Sequence, residues 1–284
     1  MKLFPGCTLL KRPVRRRVEI SWGPALLIGL VFLYVSVIIL LPVCALVIGA
    51  FQKGIEAVVE ALSEVRFIAA IMQTLGIGLA VIAVHALFGL ITAWVMVRHR
   101  FTGRAFLNSL VNLPFAISSV VVGYMLLLLF GRGSILAPLL TTIHFQVAFA
   151  VPGMVLATLF VTLPFMTREL IPVLEKVSIE QEFAAATLGA NDWQIFWKIT
   201  FPALRWGFLY GVTLTFARAV GEFGAVLVIG GGIQGLTETA TVYIYNALDG
   251  REYVAAYSTA LVLGLLSLVL VTIFYFLRKR KIKR

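Results

Sequence analysis

Cysteine, histidine and acidic side chains are scarce in these 284 residues, with 2 Cys, 3 His and 13 Asp plus Glu. That scarcity excludes several kinds of chemistry. Cys7 lies in a basic N-terminal arm and Cys44 in an apolar run, so no structural disulfide is expected. His85, His99 and His144 are scattered without metal-ligand spacing, and no metal site is expected. No Gly-x-x-x-x-Gly-Lys-Ser/Thr phosphate loop occurs, since the nearest glycine cluster, Gly230-Gly231-Gly232, has no lysine. Neither a nucleophile elbow nor a facing pair of carboxylates appears. No catalytic residue is assigned.

Apolar residues are what the chain has in excess. They make up 61% of it, against 13% charged, and the mean hydropathy is +1.00. Such a composition is too apolar for a soluble globular protein and indicates a polytopic membrane protein. Six stretches approach the roughly 20 residues that a helix needs to cross the hydrocarbon core. They run over about 24–51, 67–97, 106–130, 147–167, 206–230 and 254–277. The period-two alternation of a membrane barrel is absent, so the expected class is all-α with six transmembrane helices. Pro114 and Pro164 are candidate kink positions.

A formal net charge of +11 would suit a nucleic-acid partner, but its distribution argues for topology instead. Lys2, Lys11, Arg12, Arg15, Arg16 and Arg17 precede the first stretch, and Arg278, Lys279, Arg280, Lys281, Lys283 and Arg284 follow the last. Arg98, Arg100 and Arg104, then Arg168, Lys176, Lys198 and Arg205, fall in alternate connections. The positive-inside rule puts all of these on the cytoplasmic side, leaving Lys53, Arg66, Arg132 and Arg251 outside. Both termini are therefore expected in the cytoplasm of a bacterial-type inner membrane, with no nucleic-acid partner. The expected organisation is a basic arm over 1–23, a six-helix domain over 24–277 and a basic tail over 278–284. No cleavable signal peptide is expected, because the first apolar run is long enough to span.

Between the fourth and fifth stretches, residues 180–203 read as a cytoplasmic knob. The run Ala184-Ala185-Ala186 favours helix, Gly189 permits a tight reversal, Asp192 can cap a second helix, and Pro202 closes the element. A plainer reading is an interfacial connector with Trp193, Phe196 and Trp197 at headgroup level. The spacing Ala-Ala-x-x-Leu-Gly-Ala, with Ile199 ten and Pro202 thirteen residues after Gly189, resembles the EAA loop of ATP-binding-cassette importer permeases. That resemblance implies a coupling helix docked on a separate ATPase, with Glu182, Ala184, Ala185, Gly189, Ala190, Asp192, Phe196, Ile199 and Pro202 as coupling residues. The family glutamate directly before Ala-Ala is Phe183 here, with Glu182 one position earlier. Whether Glu182 makes the salt bridge to the ATPase is open at this point.

Two further blocks, Asn112–Gly123 and Phe160–Val173, are similar to sulfate/thiosulfate permeases of the CysW type, and molybdate permeases share the layout. The first block has Ser119 where those permeases usually have proline. The resemblance covers about residues 24–277 and implies the membrane domain of a type I (MetI-like) importer. It also implies a second, CysU/CysT-like permease chain, two ATP-binding subunits and a sulfate- or thiosulfate-binding protein. No cofactor belongs to this chain itself, ATP and magnesium being held by the partner ATPase.

In the fifth stretch, Arg218 and Glu222 stand at i and i+4, near mid-membrane, within Arg-x-x-Gly-Glu-Phe-Gly-Ala, which resembles a signature of sulfate and molybdate permeases. A lone charge there costs about 2.5–3.5 kcal/mol on insertion scales, so both must face protein or water. One reading is a salt bridge that fixes helix packing, helped by the small Gly221 and Gly224. The other makes Arg218 a lure for a divalent oxyanion, tempered by Glu222. Ser118, Ser119, Thr158, Thr162, Thr213 and Thr215 could line an anion path or bond to their own helix backbones. Rival functions are a molybdate/tungstate permease and, in another class, an ion-coupled secondary anion transporter using Glu222. A non-transport scaffold is a third. The outer segment Thr237–Tyr245 could form a short re-entrant or interfacial helix.

Overall fold

The computed structural model describes residues 22–282, with side chains over 23–272. The basic residues 2–17, Cys7 and the side chains of the 278–284 tail lie outside these. Every regular element among the described residues is helical. In chain order they are α1 (Trp22–Ala50), α2 (Ile55–Ser63), α3 (Val65–Arg98), α4 (Arg104–Asn112), α5 (Ser119–Phe130), α6 (Ala137–Thr142) and α7 (Val151–Leu174). Then follow α8 (Ile179–Thr187), α9 (Asp192–Ile195), α10 (Phe201–Val220), α11 (Gly224–Gly230), α12 (Ala240–Asp249) and α13 (Tyr253–Ile282). The chain divides into two units, one ending at Ala45 and one beginning at Leu46. The first contains most of α1, apolar on all sides and exposed along its length.

All six apolar stretches are present as helix, but not as six rods. Four helices, α1, α3, α7 and α13, are long and apolar enough to span, and two further spans are bent pairs. The third stretch turns through 108° between α4 and α5. Buried Pro114 lies in a 3-10 turn over Leu113–Phe115 at the bend, where its missing N–H and fixed φ break the α-helical ladder. Pro164, by contrast, sits within α7, which runs unbroken through it. The fifth stretch runs continuously from Asp192 to Val220 and then bends by 57° into α11.

Within the second unit, α3, α7 and α10 form the packed centre. The buried residues of α3, Phe67, Ala70, Thr74, Ile77, Gly78, Val81, His85, Gly89, Ala93 and Met96, recur at helical spacing and make one stripe. Met166 of α7 wedges between two glycines: a Cβ on Gly89 would come 2.7 Å from its Cγ, and one on Gly211 of α10 2.6 Å from its sulfur. Lipid offers apolar contact as readily as protein does, so such close packing, rather than burial alone, holds membrane helices together. A second cluster joins α5, α7 and α11 through Val122, Met154, Ala157, Val161, Ala225 and Ile229. A third, with Phe67, Tyr243, Ala247 and Ala256, binds α12 and α13 to the start of α3.

Candidate coupling and transport sites

Each end of the α3–α7–α10 core carries polar residues that the membrane helices bring together. At one end, the C-termini of α3 and α7 meet the segment 178–202. Ser178 caps α8, accepting from the Glu180 N–H at 3.2 Å. Gly189 has φ +88°, which the expected reversal requires and which a side chain would strain. The cap of α9 is not Asp192 but Asn191: its Oδ1 accepts from the Gln194 N–H at 2.8 Å, and Gln194 Oε1 accepts from the Asn191 N–H at 3.1 Å. Asp192 is the first helical residue, where its charge suits the helix dipole. Asn191-x-x-Gln194 was a readable capping-box pattern.

Pro202 does not close the knob. The helix passes from α9 through a π-helical turn, Phe196–Thr200, into α10, with Pro202 in the first turn of α10. The widened turn absorbs the hydrogen bond that proline cannot donate. The knob's second helix is thus the beginning of the fifth membrane helix. Outward from this end project Phe183, Leu188 and Trp193, exposed by 66%, 88% and 69%. Of the residues expected to couple, Ala184, Gly189, Asp192 and Pro202 are also exposed, whereas Ala185, Ala190, Phe196 and Ile199 are half-buried. Rings of Trp193, Phe196, Trp197, Phe201 and Phe208 follow one another at 4.9–5.7 Å centroid spacing along the 193–197–201 and 196–197 edges and into 208, stiffening the join. Glu182 is turned inward, 2.8 Å from Arg98.

Arg218 and Glu222 do meet, with Nη2 2.7 Å from Oε2. They do so across the end of a helix rather than along one, since α10 stops at Val220 and Glu222 occupies the bend. The Glu222 side chain is 1% exposed and that of Arg218 34%. The other carboxylate oxygen accepts from the Ala225 N–H at 3.2 Å, satisfying a donor at the start of α11. Beside it stands the bend of the third span. A Cβ on Gly224 would lie 2.6 Å from Ser119 Oγ, so the starts of α5 and α11 pack directly together. Ser118 is exposed and Ser119 half-buried, both next to this junction.

Thr162 and Thr215, expected on the same path, are instead buried in the core. Thr162 donates to the Thr158 carbonyl at 2.6 Å, and His85 Nε2 lies 3.0 Å from the Thr162 hydroxyl and 3.1 Å from the Leu159 carbonyl. With the Thr162 proton already used, Nε2 carries the proton of His85 and donates to both. Thr158 and Thr213 bond back to their own helices, to Met154 and Leu209.

At the opposite end lies a cluster that the sequence did not single out. Arg66 forks onto Glu238, with Nε 3.0 Å from Oε2 and Nη2 2.7 Å from Oε1, and Asn246 donates to the same Oε1 at 2.7 Å. Tyr243 lies under the Arg66 guanidinium and donates to Glu64 at 3.1 Å. Burial, with Glu64 adding to it, pushes the Tyr243 phenol up to about 12. Residues 172 apart in sequence meet here, leaving only an apolar-flanked Arg66 as a local sign. The expected short helix near 237–245 is α12, Ala240–Asp249.

The model of the family described as "binding-protein-dependent transport system inner membrane component" matches residues 85–284. The chain belongs to that family. Among curated relatives, the sulfate transport system permease protein CysW of Synechocystis sp. is 45% identical, over 90% of this chain and 92% of its own. CysW of Escherichia coli K12 is 40% identical over 92% and 89%, and CysT of the same strain 37% over 87% and 90%. A bacterial ABC transporter that imports alginate has the same fold, with a TM-score of 0.74 at 18% identity over 91% of this chain and 96% of that one. The chain is therefore a multi-pass inner-membrane protein, as the apolar stretches indicated, and its relatives are permease subunits of ABC importers.

Proposed function

We propose that the chain is a membrane subunit of an ATP-driven importer of sulfate and thiosulfate, working beside a CysT-like second permease. The relatives that align along nearly its whole length are sulfate permeases, and that breadth of similarity carries the reading. Two ATPase subunits, holding ATP and magnesium, would engage the 178–202 segment. A rigid knob with Phe183, Leu188 and Trp193 projecting suits insertion into a groove of such a subunit. Both termini and the knob would then be cytoplasmic, with a sulfate- or thiosulfate-binding protein delivering substrate to the other face.

ATP-driven approach of the two ATPases would move the knobs and reorient the path, and nucleotide release would return it. Along the path, Arg218 would attract the dianion. Glu222 would keep the guanidinium from holding it too firmly, as conduction requires. Ser118 and Ser119, beside the same bend, would offer hydroxyl donors; Thr162 and Thr215 would serve the core instead.

The test is reconstitution with the candidate ATPase, second permease and binding protein, measuring ATP-dependent uptake of labelled sulfate in competition with thiosulfate and molybdate. Sulfate uptake inhibited by thiosulfate is expected. Uptake without an ATPase, or molybdate uptake indifferent to sulfate, overturns the proposal.

A further inference from the structure

The carboxylate of Glu182 has a destination within the chain. Its Oε1 accepts from Arg98 Nη2 at 2.8 Å and from the Thr200 hydroxyl at 2.8 Å. The two ion-paired side chains are only 10% and 15% exposed, and Thr200 is fully buried. Arg98 Nη2 also reaches the Val177 carbonyl at 3.3 Å, just before α8 begins. The guanidinium lies 5.8 Å from the Trp94 ring centre, and Trp94 meets Phe196 edge to face at 5.8 Å. One carboxylate oxygen thus joins three segments: the end of α3, the first turn of α8, and the π-helical turn that opens into α10. Phe183, the next residue, points the other way and is exposed.

A knob that transmits a push must not swivel on its own attachments. The backbone fastens it at 175–178 and at 196–200, and the second of these is a π turn, a wide and readily remodelled form of helix. A charge-assisted bond from α8 to both α3 and that turn closes a triangle that the backbone alone leaves open. We infer that Glu182 is a positioning residue for coupling, holding the knob to the membrane helices through Arg98 and Thr200 instead of offering its charge to an ATPase. In this arrangement the outward contact is made by the apolar faces of Phe183, Leu188 and Trp193, and the carboxylate governs how faithfully their displacement reaches α3 and α10.

This inference rests on the proposed importer function, and the test separates the two. In the full reconstituted complex, uptake per ATP hydrolysed and ATPase copurification are measured together. Glu182→Gln and Arg98→Gln should retain the ATPase subunits while uptake per ATP falls about tenfold, the scale of exchanging a charge-assisted bond for a neutral one. Single reversals, Glu182→Arg or Arg98→Glu, should be inactive, and the double reversal should restore uptake at least in large part. Rescue is specific to an intrachain pair. A double reversal that assembles but is no better than the singles, or loss of the ATPase from Glu182→Gln, overturns the inference. Should the reversed chains fail to assemble, Thr200 decides: Thr200→Ser should keep the wild-type uptake per ATP, Thr200→Val should lose it severalfold, and equal behaviour of the two counts against the clasp. A wild-type complex that takes up substrate with no ATPase present would instead defeat the importer reading itself.

Discussion

The hydroxyl of Thr241 donates to the main-chain carbonyl of Glu222 at 2.7 Å, so the bend in the fifth span is fastened to α12 on the far side of the helix break. A carbonyl freed by a bend needs such a partner in a medium without water. Arg218, Glu222, Ser119 and Thr241 thereby form one junction, to which α5, α10, α11 and α12 all contribute.

Thr241→Val removes the donor and keeps the shape. The Glu222 carbonyl loses its partner, at a cost of about 1–3 kcal/mol. The purified complex should melt several degrees lower, and Thr241→Ser should melt as wild type does. Equal melting of all three would mean that the bond does not hold the bend.

Gly224→Ala tests the contact between the two bends. The added carbon would lie 2.8 Å from Val120 Cγ2 and 3.2 Å from the Val120 nitrogen as well as against Ser119 Oγ. Overpacking of this kind costs about 1–3 kcal/mol. Uptake should fall while the ATPase still copurifies, because the knob lies at the end of α10 away from the bend. Undiminished uptake would show that α5 and α11 can separate at no cost.

Glu222→Gln keeps an acceptor for the Ala225 N–H but removes the charge beside Arg218. If Glu222 tempers the guanidinium, half-saturation of uptake should move to lower substrate concentration and the maximal rate should drop, both by about tenfold for a change of some 1.4 kcal/mol in anion binding. An unchanged half-saturation would assign the pair to packing alone.

Arg66→Ala would take the paired cation from Glu238, which is 2% exposed and keeps the Asn246 donor, at a cost of about 1–3 kcal/mol. Arg66→Lys, which keeps the charge and loses the fork, should fall between. The same cluster predicts alkaline behaviour. The phenol of Tyr243 ionises only near 12 in the fold against about 10 in an unfolded chain, so its contribution to stability is intact below pH 10 and lost as pH rises toward 12. Ultraviolet titration of the phenolates should contain one late component, absent from Tyr243→Phe.

Hydropathy makes the six spans readable because each is a long, mainly apolar run, and Pro114 marks one of the two breaks. The other break left no such mark. Gly221, Glu222 and Phe223 change the chain direction within three residues, and the apolar pattern continues past them. The family spacing locates the knob, but Asp192, a plausible cap by residue type, stands beside an Asn191-x-x-Gln194 pair that does the capping. Pro202 suggested an end because proline usually ends a helix, whereas the π turn before it lets this helix continue. Glu182 and Arg98 lie 84 residues apart, and only tertiary packing brings them together. Thr162 and Thr215 are polar residues of core helices whose direction, inward or toward a path, depends on the neighbours those helices acquire.

The π turn at Phe196–Thr200 also sets an angular phase. Relative to an α-helix it holds about one extra residue, worth roughly 100° of rotation. Everything before it is therefore rotated about the helix axis with respect to everything after it. Removing a single residue from this turn would leave the knob and α10 individually unchanged in sequence while aiming Phe183, Leu188 and Trp193 about a quarter-turn away. The direction in which the knob faces is thus encoded as one residue of slack in a helix, and a one-residue deletion there would act as a change of bearing.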